Sequence, residues 1–69
     1  MTILKRHRLR TWEADLLLVQ VAAGWEVHIA CQGKTHAKPY ATLAAAEHEY
    51  ARCLASEDQL RRDLARSAA

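Results

Sequence analysis

The most regular stretch of the chain is Trp25-Glu26-Val27-His28-Ile29-Ala30-Cys31-Gln32. Trp25, Val27, Ile29 and Cys31 fall on one side of an extended backbone and Glu26, His28 and Gln32 on the other, the period-two signature of a half-buried strand. Leu16 to Val21, rich in Leu and Val, precedes it, and Ala23-Gly24 supplies a turn, so the two runs predict an antiparallel hairpin. Gly33-Lys34 offers a second turn, and Thr35 to Tyr40 forms either a short third strand, held to a sheet edge by Pro39, or a loop. Ile3 to Trp12 is either a further strand or an arm.

From Thr42 onward the chain has no Gly and no Pro and is dominated by Ala, Leu, Glu and Arg, which favours helix. Thr42 is a fair N-cap. Leu43, Ala46, Tyr50, Cys53, Leu54, Leu60 and Leu64 recur at helical spacings and draw one apolar stripe. Glu47 and Glu49 lie early, and Arg61, Arg62 and Arg66 late, in accord with the helix dipole. Ser56-Glu57-Asp58-Gln59 has the form of a capping box that could start a second helix, but nothing around Ala55 breaks the first, so one long helix over 42–66 is expected. The predicted fold is α+β: a small antiparallel hairpin or three-stranded sheet followed by one long C-terminal helix. It forms a single domain over 1–69, with a basic arm or strand over 1–12, antiparallel strands over 13–40 and the helix over 42–66.

Length sharpens this picture. A helix over 42–66 runs about 37 Å, whereas a seven-residue strand spans about 23 Å. Leu60 and Leu64 are thus expected beyond the reach of the hairpin, on an apolar stripe rimmed by Arg61, Arg62 and Arg66. The simplest cover is the same stripe of a second copy, so a homodimer is expected. At 69 residues the chain has room for one domain that buries about 60% of its unfolded surface, a size at which oligomerisation commonly supplies stability. An apolar share of 51% with 26% charged residues excludes disorder.

Cys31 and Cys53 are too few for a disulfide scaffold and read as small buried hydrophobes in a reducing cytoplasm. A signal peptide is argued against by Glu13 and Asp15, which interrupt the junction between the basic and apolar stretches, and no apolar run approaches a membrane span. The net charge of +2 is modest, yet Lys5, Arg6, Arg8 and Arg10 place four positive charges in the first ten residues, with His7 among them. That pattern suits a solvated edge strand or arm first and a phosphate or acidic surface second.

Catalytic and metal chemistry find little footing. Neither Cys-x-x-Cys nor His-Glu-x-x-His occurs, and His28 and Cys31, three apart on a strand, point to opposite faces. No serine elbow, glycine-rich phosphate loop or carboxylate pair can be read, so no enzyme activity, cofactor or metal is expected. Binding to a macromolecule is the expected role. The partner-binding candidates are Leu60, Arg61, Arg62, Leu64 and Arg66, with Tyr40 and Tyr50 as secondary anchors, since arginine and tyrosine commonly anchor interfaces.

The hairpin "LLLVQVAAGWEVHIACQGK" and the helix "ATLAAAEHEYARCLASEDQLRRDLARSAA" together resemble, in size and layout, the small early proteins of Pseudomonas transposable phages. That group includes an anti-quorum-sensing protein that inhibits a LuxR-type transcriptional activator and a type IV pilus assembly ATPase. The resemblance implies a cytoplasmic host-takeover protein, a dimer that binds the activator and suppresses quorum sensing and twitching motility. A second resemblance points elsewhere. "GKTHAKPYATLAAAEHEYARCL" is similar to the turn, last strand and helix of AP2-like and integrase arm-binding domains, which lay a sheet in the DNA major groove. It implies that Lys5, Arg6, Arg8, Arg10, Lys34 and Lys38 hold phosphates. The corresponding sheet face, Glu26, His28, Ala30 and Gln32, contains an acid and no arginine, which fits base reading poorly.

Overall fold

The computed structural model describes residues 1–68, and for Leu60, Arg61 and 63–68 it describes the backbone without the side chains. The order of elements is β1 (Thr2–Leu9), β2 (Ala14–Val21), β3 (Gly24–Cys31), β4 (Lys34–Tyr40) and α1 (Leu43–Ala68). The strands form one antiparallel meander in which each pairs with its sequence neighbour. The fold is therefore α+β as expected, with four strands rather than two or three. The N-terminal segment, left open between arm and strand, is a strand.

Each turn has a local cause. Between β3 and β4, Gln32 and Gly33 both take positive φ, 52° and 77°, the two left-handed residues that a tight hairpin turn matched to strand twist requires. This turn lies one residue earlier than the sequence suggested. Between β2 and β3 the turn is Ala22-Ala23, and Gly24 opens β3 instead of sitting in the turn. Gly24 has φ 146°, and a Cβ added there would lie 2.9 Å from the carbonyl oxygen of Tyr40, so close passage of the neighbouring strand demands glycine. Between β1 and β2, Glu13 adopts φ 50° and donates its N–H to the Arg10 carbonyl at 3.3 Å.

The register sorts the side chains into two faces. On the face beneath the helix run the rungs Leu9–Ala14–Cys31–Lys34, His7–Leu16–Ile29–His36 and Lys5–Leu18–Val27–Lys38, with Gln20–Trp25–Tyr40 at the far end. Leu9, Ala14, Leu16, Leu18 and Val27 from the sheet and Ala46, Tyr50 and Cys53 from the helix make the core, and Trp25, Ile29, Cys31, Tyr40 and Leu54 pack at its margin. The alternation read in β3 is thus the core face of the sheet.

The helix begins at a working N-cap. The N–H of Ala45 donates to Thr42 Oγ1 at 3.2 Å, and the N–H of Ala46 donates to the Thr42 carbonyl at 3.2 Å. It passes Ser56 unbroken, as expected from the composition. Leu43, placed on the apolar stripe by spacing, is 37% exposed because the first helical turn stands outside the sheet's cover.

Glu57 replaces what the stripe would lead one to expect as an apolar residue. It is 1% exposed, and Thr11 in the β1–β2 turn donates its backbone N–H to Glu57 Oε2 at 3.3 Å, with His7 Nε2 at 4.0 Å from Oε1. The carboxylate ties the helix to a turn that lacks a strand partner for this amide. Glu57→Ala is expected to cost about 1–3 kcal/mol, since it leaves a partly buried amide unpaired. Comparing chemical denaturation of this variant with that of Glu47→Ala, an exposed carboxylate earlier on the same helix expected to change stability by less than about 0.5 kcal/mol, measures the effect.

Candidate functional site

The structure separates the residues that sequence grouped as interaction candidates. Leu60, Arg61, Leu64 and Arg66 sit in the C-terminal part of α1, and their side chains lie outside the described residues. Arg62 is exposed and donates from Nη2 to Gln59 Oε1 at 3.3 Å. Tyr50 is no surface anchor: at 6% exposure it is a core residue, because its position on the helix faces β2 and β3, and Lys5 Nζ lies 5.7 Å from its ring centroid. Tyr40 is half-buried at the end of β4, with Lys38 Nζ 5.8 Å from its ring. Among the described residues its hydroxyl is a buried polar atom with no hydrogen-bond partner.

The basic residues assigned to phosphate do not share a surface. Strand alternation puts Lys5, Lys34 and Lys38 on the helix side of the sheet, at its two margins, and Arg6 and Arg8 on the opposite side, with Arg10 in the turn. A duplex docking on the helix side would meet three of the six, and one on the opposite side two.

The face opposite the helix carries no second layer of secondary structure among the described residues, although Val19 at its centre is fully buried and its β2 and β3 neighbours are half-buried. Its rungs are Ile3–Val19–Glu26–Pro39, Arg6–Leu17–His28–Ala37 and Arg8–Asp15–Ala30–Thr35, with Val21 beyond. The two arginines are matched by two acids. Arg8 Nη1 lies 3.5 Å from Asp15 Oδ1, and the His28 Nε2 to Glu26 Oε1 distance is 2.8 Å, so the charges on this face are largely paired within it. A β-bulge between Ile3 and Lys5 inserts Leu4, and Ile3 and Leu4 remain 50% and 42% exposed.

A shallow groove of about 150 Å³ lies between the helix and β4, lined by Val27, Ile29, His36, Tyr40, Glu49 and Cys53. It is smaller than the several hundred cubic ångströms that enclose most small-molecule ligands. Of its polar groups, Glu49 is engaged within the helix: Arg52 Nε donates to Glu49 Oε2 at 2.8 Å, and this hydrogen bond holds the Glu49 carboxyl below the usual carboxylate range. Burial, aided by the negative Glu49, pushes the Cys53 thiol up, so it stays protonated near neutral pH and is a poor nucleophile. Cys31 and Cys53 are both free thiols. Among the described residues, no three His, Cys, Asp or Glu side chains are grouped as a metal site, and no helix is long and apolar enough to cross a membrane.

No family model matches the chain, and neither a curated protein nor a solved structure does.

The feature that sequence reasoning missed is the open face itself. Its signal was present in β2: Leu16-Leu17-Leu18-Val19 is apolar at consecutive positions, which is the pattern of a strand covered on both sides rather than one. Glu57 also had a signal, a carboxylate standing four residues after Cys53 and seven after Tyr50, within the helix's apolar stripe.

Proposed function

We propose that this chain acts by binding another protein, as a non-enzymatic inhibitor that works as a homodimer, with the C-terminal end of α1 as its binding element. One observation carries the reading. Glu57 meets the β1–β2 turn at the end of the sheet, and the helix continues over residues 58–68, about 16 Å further at the α-helical rise. The sequence of that segment carries Leu60 and Leu64 among Arg61, Arg62 and Arg66, an apolar pair rimmed by cations that suits a protein partner. The small groove and protonated Cys53 speak against chemistry. The division of the basic residues between two faces speaks against a DNA-reading sheet of the AP2-like or integrase arm-binding kind.

The resemblance to the small early proteins of Pseudomonas transposable phages supplies the target: a LuxR-type quorum-sensing activator, with the type IV pilus ATPase as a second. Expression of the chain in a host carrying a promoter fusion driven by that activator is expected to lower reporter output by roughly tenfold, corresponding to loss of most active regulator. The double variant Leu60→Asp/Leu64→Asp, checked for intact helix content, is expected to restore it. An unchanged reporter with the natural chain, or full inhibition by the double variant, overturns the reading.

A further inference from the structure

We propose that two copies of this chain pair through the uncovered sheet face, forming a four-layer helix–sheet–sheet–helix sandwich with the helices outermost. Leu16 and Leu18 enter the core beneath the helix, while Leu17, Val19 and Val21 point to the other side of the sheet. A central strand apolar on both faces belongs between two layers, and the chain itself supplies one.

What should form the second layer follows from charge, shape and area. Arg8 pairs with Asp15 and His28 Nε2 contacts Glu26 Oε1, so the two arginines of the face, Arg6 and Arg8, are offset by two carboxylates, and the face suits a neutral partner rather than a strongly charged one. The same face on a second copy has those properties. A two-fold axis lying between the sheets and running along the strands sets the β1 margin of each copy over the β4 margin of the other. Arg6 and Arg8 then cover Thr35, Ala37 and Pro39, which are small and uncharged, instead of covering each other. Long side chains meet short ones, and like charges stay apart. The axis keeps each rung at its own height, so Leu17 of β2 lies over His28 of the opposing β3 and Asp15 over its Ala30, while Val19, already fully buried within its own chain, adds little to the contact.

Four strands spaced by about 4.8 Å, each about 26 Å long, present roughly 500 Å² per copy, or about 1,000 Å² for the pair, the lower end of specific interfaces. A dimer of this size is expected to dissociate in the micromolar range. The axis also directs both α1 C-termini toward the same end of the sandwich. The pairing thereby deepens the binding reading by making it bivalent, while resting on the sheet alone.

Sedimentation velocity of the full chain at about 100 µM tests this, with an expected mass twice the 7.8 kDa of one chain. Leu17→Lys is expected to weaken the dimer at least tenfold with far-UV circular dichroism retained. Should Leu17→Lys lose its fold, Ala37→Arg decides the matter. That position is exposed, and the new charge would face the partner's arginine margin. A monomer or a weakened dimer for Ala37→Arg supports the sandwich. A monomeric natural chain, an undiminished dimer in Ala37→Arg, or a dimer lost in Leu60→Asp/Leu64→Asp but kept in Leu17→Lys overturns it. The last result would move the contact to the helix end. Because mass and reporter output are read separately, failure of the sandwich leaves the protein-binding reading standing, although a monomeric chain removes its homodimer, and loss of the reporter effect leaves the sandwich standing.

Discussion

Leu16→Ala is expected to lower the thermal midpoint by roughly 15 °C, the largest effect of any single conservative truncation in the sheet. Leu16 is fully buried in the middle of β2, between His7 and Ile29 on its own face and beneath the helix residues Tyr50 and Cys53. Removing its three terminal carbons forfeits their transfer free energy and leaves a cavity, a combined cost of about 3 kcal/mol. A domain of this size holds a total stability of about 3–10 kcal/mol, so the variant is left near the threshold of folding. Leu43→Ala, made at the exposed start of the same helix, serves as the comparison and is expected to cost less than about 1 kcal/mol. Midpoints must be compared at one protein concentration, because any self-association adds a mass-action term. Equal losses in the two variants would show that the core is not centred on β2.

Gly24→Ala is expected to cost about 2–3 kcal/mol, and the reason is backbone rather than packing. At φ 146° an L-residue is already strained, and its Cβ would stand 2.9 Å from the Tyr40 carbonyl oxygen, a backbone atom held by the pairing of Trp25 with Tyr40. Relief requires β3 and β4 to part at the end where the chain turns into the helix. Gly33→Ala provides the contrast. Gly33 has φ 77° with nothing within 4 Å of the added carbon, so only the left-handed penalty of about 1 kcal/mol applies. If urea titration gives the two glycine variants the same loss, the close approach of Tyr40 carries no weight.

How far the sequence spoke for itself depended on whether a residue's surroundings were periodic. β3 was legible because one face is core and the other is not, and α1 was legible because Ala46, Tyr50 and Cys53 return to one side of a helix with no Gly or Pro to interrupt it. β1 could not be told from an arm, since seven of its eight residues are exposed and only Leu9 is buried. An edge strand carrying cations on both sides leaves no alternation to read. β2 was recognised as a strand, but its consecutive leucines conceal which of them face the helix until the pairing register is known. Tyr50 was drawn to the surface by the general abundance of tyrosine at interfaces, whereas its place on the stripe between Ala46 and Cys53 already put it inside. The candidate surfaces were less legible than the fold, because grouping Lys5, Arg6 and Arg8 by nearness in sequence ignores that a strand sends neighbours to opposite sides.

The meander has a kinetic corollary. Every strand pairs with the one before it through a turn of a few residues, so no long loop must close before the sheet gains hydrogen bonds, and such topologies cross their folding barrier within milliseconds. During synthesis the strands are complete at Tyr40, while the helix that covers Leu16, Leu18 and Val27 is still to be made. For that interval the helix-side face of the nascent sheet is bare, and Ala46, Tyr50 and Cys53, translated after it, are the residues that end its exposure to chaperones and to neighbouring chains.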